Sequence, residues 1–374
     1  MIKNTYIGFI FAALFLTGCS ASSLDDNVGD TVIAEAYPLQ YAQQFSADCL
    51  SDGCYLITIE DQQYLVVPEG ITPSENQYPS AVVLQQPLDS IYLVSSSAMD
   101  PILALDGLDA VKLSGTQANS WYLPEAREAM EDGRLQYAGK YSMPDYETIL
   151  AANCDLAIEN TMIYHTPEVK EELERFGIPV LVERSSYESD PLARMEWVKL
   201  YGILLEKTEE AEQIFDAAAE RIASLREQTP TGKTAAFFSV TSNNLVTVRK
   251  GGDYVAKMIE MAGGSYVFSN LTDDGNNLAT VNISLEDFYA GAKDADVLIY
   301  NSTIEGNLDS LDALIEKCPM LADFKAVQNG DVWSTSQSLF QQSMSLADLI
   351  LDMNKIFTEG TPEDSALTFL TRLR

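Results

Sequence analysis

Apolar and polar positions alternate along most of the chain in two rhythms, one typical of buried strands and one of amphipathic helices. Between residues 80 and 188, apolar runs of four or five residues are separated by stretches in which apolar positions recur every three or four residues. Such runs are typical of strands buried on both faces of a parallel sheet, which predicts a first α/β lobe. The predicted strands are 81–84, 91–94, 155–158 and 178–182, and the predicted helices are 98–106, 124–132, 144–152 and 167–176.

Residues 189–230 interrupt this alternation because they contain helical patterns and no strand pattern. Apolar residues recur at helical spacing from Leu192 to Leu205 and again from Ala211 to Leu225. The alternation of strands and helices then resumes over residues 231–360. The pattern therefore predicts an α/β protein of two doubly wound lobes, 80–188 and 231–360, with a helical passage between them.

The segments outside the two lobes have simpler patterns. In an N-terminal extension, residues 37–79, the apolar runs 55–59 and 64–67 flank a polar stretch, which predicts a small β-hairpin, and a proline-containing connector follows. Residues 19–36 are small, polar and acidic, as expected of a flexible tether. Residues 361–374 are predicted to be an appended C-terminal tail.

The first nineteen residues carry a targeting pattern. Lys3 gives a basic start, and the apolar run 7–16 is too short to span a bilayer as a mature helix. The run ends in Leu16-Thr17-Gly18-Cys19, which resembles the lipobox of a bacterial lipoprotein. This resemblance implies removal of signal peptide 1–18 and acylation of Cys19, so that a lipid anchor alone holds the protein on the outer face of the cytoplasmic membrane. The alternative is an ordinary secretory signal beside a chance cysteine.

Charge narrows the classes of partner. The chain has 23 Lys and Arg residues against 56 Asp and Glu residues, for a formal net charge of −33. A surface this acidic repels nucleic acid, so a nucleic-acid partner is excluded. No apolar stretch is long enough to predict a transmembrane helix. Each arginine gains significance in such a chain, because a retained cation is expected to have a specific anionic partner.

Few residues are available for metal or redox chemistry. Cys49 and Cys54 flank a turn-like tetrapeptide that could bring two strand ends within disulfide distance. A disulfide between them and a pair of free thiols are both compatible with the sequence. Cys154 and Cys318 are expected to be buried thiols. His165 is the only histidine, which excludes a metal site built from several imidazoles, and no resident metal or cofactor is expected.

Five short motifs follow one another between residues 80 and 358: FGIPVLV at 176–182, LYGILL at 200–205 with EAE at 210–212, MIEMAGG at 258–264, ISLE at 283–286 and VQNGDVW at 327–333. In these motifs and in the order of its segments, the chain resembles the substrate-binding lipoproteins of ABC importers for iron–siderophore complexes, haem and vitamin B12. The resemblance implies two α/β lobes joined by a long inter-lobe helix. Residues 37–67 and 187–197 depart from the family's pattern, so the ligand cannot be inherited from the resemblance.

The resemblance also implies a role without chemistry. It points to a solute receptor, expected to be a monomer, that hands a ferric siderophore or haem to the permease and ATPase of an ABC importer. Glu147 and Glu286 match the family's permease-docking glutamates, although each would also complement its own helix N-terminus. Ser284 and Asp287 fit a capping box beside Glu286.

Two alternatives to that role stay open. The same fold could take cobalamin, another corrinoid or some other large solute, and the protein could be an envelope sensor or adhesin that has lost transport. A secreted hydrolase is disfavoured, because the sequence has neither a Gly-x-Ser-x-Gly nor a His-Glu-x-x-His motif. The chain is therefore expected not to be an enzyme.

Open α/β sheets bind ligands beyond the carboxyl ends of their strands, so residues that follow strands are the candidates for the ligand cleft. Aromatic rings suit a flat macrocycle or a catecholate, and arginine suits an anionic complex. His165 could bind haem iron, although a surface or capping role is the alternative. Arg194 and Trp197 could reach the cleft or lock the passage between lobes. The candidates are Trp121, Tyr122, Tyr141, Glu159, Met162, His165, Arg184, Tyr187, Arg194, Trp197, Asn243, Arg249, Asn301 and Gln337.

Overall fold

The computed structural model describes residues 33–73, 78–272, 279–360 and 362–374. Within these ranges the strands form a five-stranded N-terminal sheet, a five-stranded sheet in the first lobe, a seven-stranded sheet in the second lobe and a two-stranded ribbon. No helix in these ranges is apolar and long enough to cross a membrane. The signal peptide, Cys19 and the tether up to residue 32 lie outside the described residues.

The N-terminal extension is a full sheet rather than a lone hairpin. Its strands are β1 (Ile33–Ala36), β2 (Ser46–Leu50), β3 (Tyr55–Ile59), β4 (Gln62–Val67) and β5 (Val82–Gln85). The predicted hairpin is confirmed as antiparallel β3 and β4. Two assignments are corrected: residues 33–36 belong to a strand instead of the tether, and the run 81–84 pairs in parallel with β4 instead of entering the first lobe. An apolar run shows that a strand is buried, but it does not identify the sheet.

The pairing of β2 with β3 also determines whether Cys49 and Cys54 can form a disulfide. Cys49 lies opposite Tyr55, while the N–H of Leu50 donates to the carbonyl of Cys54 at 2.9 Å. Successive residues of a strand face opposite sides of a sheet. Cys54 therefore packs with Leu50 on one face, and Cys49 packs against the main core on the other. Both thiols are free, so the Cys49–Cys54 disulfide is not formed.

The first lobe has a fully parallel sheet with helices on both faces. Its strand order is β12-β11-β6-β7-β8, and the hydrophobic side chains of its central strands alternate between two clusters. The elements are β6 (Ile91–Leu93), α1 (Met99–Ala104), β7 (Val111–Ser114), α2 (Pro124–Glu131), β8 (Gln136–Tyr137), β9 (Gly139–Lys140), β10 (Met143–Pro144), α3 (Tyr146–Ala151), β11 (Leu156–Asn160), α4 (Pro167–Arg175) and β12 (Val180–Glu183). The four predicted helices of this lobe are thus present.

The passage between the lobes is helical but segmented. It consists of α5 (Pro191–Glu196), α6 (Val198–Leu204) and α7 (Thr208–Ala223). The inter-lobe helix implied by the resemblance is divided at one residue: α5 and α6 meet at Trp197. Glu206, at φ 60°, then turns the chain between α6 and α7. Gly202 allows that turn to close tightly, because a Cβ there would lie 2.5 Å from the Cβ of Ala211.

The second lobe has a mixed sheet of order β16-β14-β13-β17-β18-β19, with β15 beside β13. Its elements are β13 (Thr234–Val240), β14 (Val246–Arg249), α8 (Tyr254–Met261), β15 (Ser265–Tyr266), β16 (Thr280–Ile283), α9 (Leu285–Ala292), β17 (Val297–Tyr300), α10 (Ser302–Glu305), α11 (Leu311–Lys317), α12 (Lys325–Asn329), β18 (Val332–Thr335), α13 (Leu346–Thr358) and β19 (Leu370–Arg372). The centre of the sheet, β13, β17 and β18, is parallel, in keeping with the alternation of strands and helices predicted for residues 231–360.

The predicted C-terminal tail is part of this lobe. Strand β19 pairs antiparallel with β18, and the backbone N–H groups of Thr368, Phe369 and Leu370 donate to the Asp352 carboxylate on α13 at 2.6–3.2 Å. Phe369 and Leu370 are buried. The appended tail is therefore corrected to an edge strand, held because its apolar side chains complete the main core.

Candidate ligand cleft

A cavity of about 640 Å³ lies between the first lobe and the second. On the first-lobe side it is lined by loops that directly follow β6, β11 and β12, where the carboxyl ends of parallel strands meet. On the other side the lining includes the end of β14 and the start of α8, and Phe340 also contributes. Cavities of roughly 300–1,000 Å³ are typical of small-molecule sites, so this space is the candidate ligand cleft.

The first-lobe wall of the cleft is rich in hydroxyl groups, two of which donate to the buried carboxylate of Glu183. Oε2 of Glu183 accepts from the hydroxyls of Ser95 at 3.0 Å and Ser97 at 3.3 Å, and Oε1 accepts from the backbone N–H of Ser185 at 2.7 Å. Asn160 begins the next loop, and its side chain accepts from the N–H of Met162. These hydrogen bonds fix the wall's polar atoms before any ligand arrives.

Two arginines enter the cleft from different parts of the fold. Arg194 lies on α5, Arg249 ends β14, and their exposed fractions are 6% and 7%. Tyr254 lies between them, with the Arg194 guanidinium carbon 4.7 Å and the Arg249 guanidinium carbon 5.9 Å from its ring centroid. Within the described ranges, Nε of Arg194 has no hydrogen-bond partner. Positive charge is thus concentrated at one end of the cleft.

Asp253 partly balances this charge. Its carboxylate lies 3.6 Å from Nη1 of Arg249, and it also accepts from the N–H of Val255, capping α8. Burial raises the pKa of Asp253, and the charges of Arg249 and Arg194 oppose that rise. Arg249 in addition stacks on Phe340, at 5.0 Å from the ring centroid. The second side of the cleft is therefore a cationic and aromatic surface with one internal carboxylate.

The structure brings three of the predicted cleft residues together. Tyr187, Arg194 and Arg249 all line the cavity. Tyr187 follows β12, as the rule on strand ends expects, and the guanidinium of Arg184 stacks on the outer side of its ring at 4.4 Å. Arg184 itself does not line the cavity, because it pairs with Glu60 of the N-terminal sheet at 2.8 Å.

Four other candidates are buried away from the cleft. Trp121 is in the core and donates its indole N–H to the Ser114 hydroxyl, and Trp197 packs on Phe45. Glu159 precedes the lining residue Asn160 on β11, but strand alternation turns its side chain to the opposite face of the sheet. There it is buried among the apolar residues that pack between the sheet and helices α3 and α4. Asn301 caps α10 by accepting from the N–H of Thr303.

The remaining candidates lie elsewhere on the surface or in loops. None of them is among the residues that line the cavity. The exposed ones are Tyr122, Met162, His165 and Asn243, and the partly buried ones are Tyr141 and Gln337.

Sequence reasoning missed two important parts of the lining. Ser95, Ser96 and Ser97 directly follow the predicted strand 91–94, so the rule on strand ends could have found them. Residues 250–254 were missed because β14 runs antiparallel to β13, and that rule says nothing about antiparallel strands. Phe340 comes from a loop without a strand pattern, and no sequence signal marks it.

The lobes also touch each other at the rim of the cleft. The side chain of Gln341 accepts from the N–H of Tyr122 at 2.7 Å and donates to the carbonyl of Ser120 at 2.8 Å. The Ser343 hydroxyl donates to the carbonyl of Ser97 at 3.0 Å. These hydrogen bonds, here named the rim contacts, join the two lobes directly.

Glu147 and Glu286 occupy equivalent positions on the two lobes. Each is exposed in the first turn of a helix, α3 or α9, whose N-terminus is capped by another side chain. The N-cap half of the predicted capping box at α9 is present, since Ser284 accepts from the N–H of Asp287 at 3.0 Å, and the Ser284 hydroxyl donates to the Asp287 carboxylate at 2.7 Å. Both glutamates are thereby left available to a partner.

Comparisons with known proteins agree with this architecture. An uncharacterized lipoprotein of Methanocaldococcus jannaschii is 26% identical over 282 residues, 73% of this chain and 66% of the relative. A periplasmic binding protein from Veillonella parvula matches with a TM-score of 0.60 at 15% identity over 83% of this chain and 99% of its own. A periplasmic heme binding protein from Pseudomonas aeruginosa matches with a TM-score of 0.57 at 18% identity, over 77% and 100% of the two chains.

The family comparison reaches across both lobes. The model of the family described as periplasmic binding protein matches residues 93–339, which extend from the end of β6 to the loop before α13. These residues include every residue that lines the cleft except Phe340. The chain therefore belongs to the periplasmic binding protein family.

Proposed function

We propose that this protein is a lipid-anchored extracytoplasmic receptor that captures an anionic metal–organic ligand, a ferric siderophore or haem, and delivers it to an ABC importer. One observation carries the choice of ligand. Arg194 and Arg249, both more than nine-tenths buried, line the same cavity in a chain whose formal net charge is −33.

Burial makes these two guanidinium groups costly unless anions balance them. Asp253, Glu183 and Glu188 supply carboxylates in the lining. Two of these are already engaged, because Glu183 accepts hydrogen bonds from Ser95, Ser97 and Ser185, and Glu188 accepts from Gln43, Gln44 and Trp197. An incoming carboxylate or catecholate oxygen would gain charge-assisted hydrogen bonds from the arginines, which can be bidentate. The ligand class that supplies such oxygens around iron includes siderophore complexes and the propionates of haem.

Aromatic residues on the cleft walls support the same proposal. Tyr187, Tyr254 and Phe340 line the cavity, and flat rings pack well on planar or aromatic ligand groups. The cavity volume of about 640 Å³ leaves room for a ligand larger than a simple ion. The Pseudomonas aeruginosa protein of the same fold is itself named a heme binding protein.

The anchor and the importer complete the proposal. The lipobox at Cys19 supports a lipid anchor, and the relative from Methanocaldococcus jannaschii is named a lipoprotein. The exposed Glu147 and Glu286 would each meet a basic residue of the permease. Replacing both with alanine is expected to abolish uptake while ligand binding persists. Unchanged uptake would favour an envelope sensor.

The ligand proposal is tested by titration of the purified protein with haemin, a ferric catecholate, a ferric hydroxamate and cyanocobalamin. Quenching of tryptophan fluorescence and the visible spectrum report binding. We expect a ferric complex or haemin to bind, and Arg194→Gln or Arg249→Gln to weaken that binding at least tenfold, on the order of one charge-assisted hydrogen bond. Arg175→Gln is the matched control, because Arg175 is 71% exposed on α4. Preference for cyanocobalamin, or unchanged affinity in both arginine variants, would refute the anionic-ligand assignment.

A further inference from the structure

The segment 38–44, between β1 and β2 of the N-terminal sheet, lies against the helical passage between the lobes. Its backbone N–H groups point at a buried carboxylate. Glu196, which is 0% exposed, accepts from the N–H of Gln40 at 2.8 Å, of Tyr41 at 2.7 Å and of Ala42 at 2.8 Å. One side chain of α5 thus binds three consecutive backbone amides of the extension.

A second carboxylate holds the rest of the segment. Glu188 accepts from the N–H of Gln43 at 3.0 Å and of Gln44 at 2.9 Å, and from the indole N–H of Trp197 at 3.0 Å. Glu188 is 3% exposed and also lines the ligand cleft. The same side chain is therefore shared between the N-terminal extension and the cleft wall.

A buried lysine closes this network. Nζ of Lys199 donates to Glu196 at 2.9 Å and to the carbonyl of Pro38 at 2.8 Å, and it lies 4.7 Å from the ring centroid of Phe215 on α7. Its side chain is 3% exposed. Hydrogen bonds between buried charged groups and backbone amides are strong and directional, so the network fixes the position of the segment on α5 and α6.

The two partners in this contact come from different parts of the chain, the N-terminal extension and residues 188–199. The segment 38–44 lies outside the residues 93–339 that match the family. The cleft residues Tyr187 and Arg194 lie beside and between the two held carboxylates along the chain. Glu188 and Glu196 thus fix both ends of the stretch that carries Arg194.

We propose that segment 38–44 positions the cleft wall 187–194, with Glu188 and Glu196 as positioning residues, so that ligand affinity depends on the N-terminal extension. The proposal rests on the proposed function for the ligand, but the position of the wall is defined without one. A wall fixed in advance spares a ligand the cost of ordering it, which is the physical basis of the expected affinity.

The primary test is the double variant Glu196→Gln/Lys199→Met, whose two positions lie outside the cleft and which leaves no unpaired buried charge. Hydrogen exchange of the ligand-free protein is followed over residues 185–195. We expect exchange to accelerate about tenfold relative to the wild type, since these amides then open without unfolding the lobes. Circular dichroism establishes that the variant is folded, and Glu188→Gln, which keeps one acceptor oxygen, is the second and milder variant.

Leu56→Ala is the matched control. Leu56 is buried in the cluster on the outer face of the N-terminal sheet with Leu50 and Leu65, so this change loosens the sheet without touching either carboxylate. If the N-terminal sheet only stabilises the fold in general, the rate of hydrogen exchange at residues 185–195 should rise equally in Leu56→Ala and in the double variant. Positioning predicts a response to the double variant alone.

The second measurement is titration with haemin at a temperature where all variants are folded. We expect the dissociation constant of the double variant to rise about tenfold and that of Leu56→Ala to stay near the wild-type value. Unchanged exchange and unchanged haemin affinity in both network variants would overturn the positioning role while leaving the proposed function intact. If the wild type binds neither haemin nor a ferric catecholate, the proposed function fails, and the exchange measurement still decides whether segment 38–44 positions the wall.

Discussion

Glu159 is a carboxyl group that the fold buries without a partner, and its replacement gives a sharp test of the structure. The residue is 0% exposed on β11, among the apolar side chains between the first-lobe sheet and helices α3 and α4. Within the described ranges neither of its carboxylate oxygens has a hydrogen-bond partner. Burial raises the pKa of Glu159 to about 8.

The sign of the effect follows from the direction of this shift. The ordinary pKa of Glu is 4.5, which is the value for the unfolded chain, and the folded pKa is higher. The neutral acid therefore favours the folded state below pH 4.5, and that contribution is lost as the pH rises toward 8. At about 1.4 kcal/mol for each pH unit between the two values, the loss is about 3 kcal/mol at pH 7 and about 5 kcal/mol at pH 9.

Urea denaturation of the wild type and Glu159→Gln between pH 5 and pH 9 measures this contribution, because the titration of all other groups largely cancels in the difference. Gln keeps the shape of the Glu side chain and cannot ionise. The free energy of unfolding of the variant, minus that of the wild type, should therefore increase as the pH rises. Ile158→Val, the preceding buried residue, is the control and should cost about 1 kcal/mol at every pH. A difference between Glu159→Gln and wild type that stays constant from pH 5 to pH 9 would show that Glu159 is not buried unpaired.

Three further predictions follow from other residues. Burial raises the pKa of Asp100 to about 6, although its carboxylate accepts from the N–H of Met344. The free energy of unfolding should therefore fall by about 3 kcal/mol as the pH rises from about 4 to above 6, and urea denaturation of Asp100→Asn should show no such loss. Gly202→Ala should lower the free energy of unfolding by about 1–3 kcal/mol, because its Cβ would meet that of Ala211 at 2.5 Å; a denaturation midpoint equal to that of the wild type would contradict this packing. Burial raises the pKa of the Cys54 thiol to about 12, so mass spectrometry after iodoacetamide at pH 8 should find it unmodified in the native protein and modified in urea.

The elements of the two lobes were predictable because both faces of their central strands are covered. Strand β17 is a continuous apolar run, and β11 and β12 are apolar except at their carboxyl ends. Helices such as α4 and α9 start at residues with clear N-terminal signals. The sheet to which a strand belongs was not predictable from its composition. The run 81–84 joined β4, and Phe369 and Leu370 joined the second lobe, through partners distant in sequence.

The cleft was predictable only where it obeys the rule on parallel strand ends. Tyr187 follows β12 and was found by that rule, whereas Tyr254 begins a helix after an antiparallel strand and was not. Tryptophans were overvalued, because an aromatic ring suits the core as well as a ligand, and Trp121 and Trp197 are core residues. The hydrogen bonds from segment 38–44 to Glu188 and Glu196 were beyond prediction, since their donors are backbone groups that no side-chain pattern marks.

The rim contacts of Gln341 and Ser343 have a consequence for kinetics. If a bound solute leaves by separation of the lobes, these hydrogen bonds must break on the way out, so they contribute to the barrier for escape. Their strength then bears on residence time more directly than on equilibrium occupancy. A permease that pulls on both lobes would shorten that residence time by breaking a few hydrogen bonds far from the solute itself.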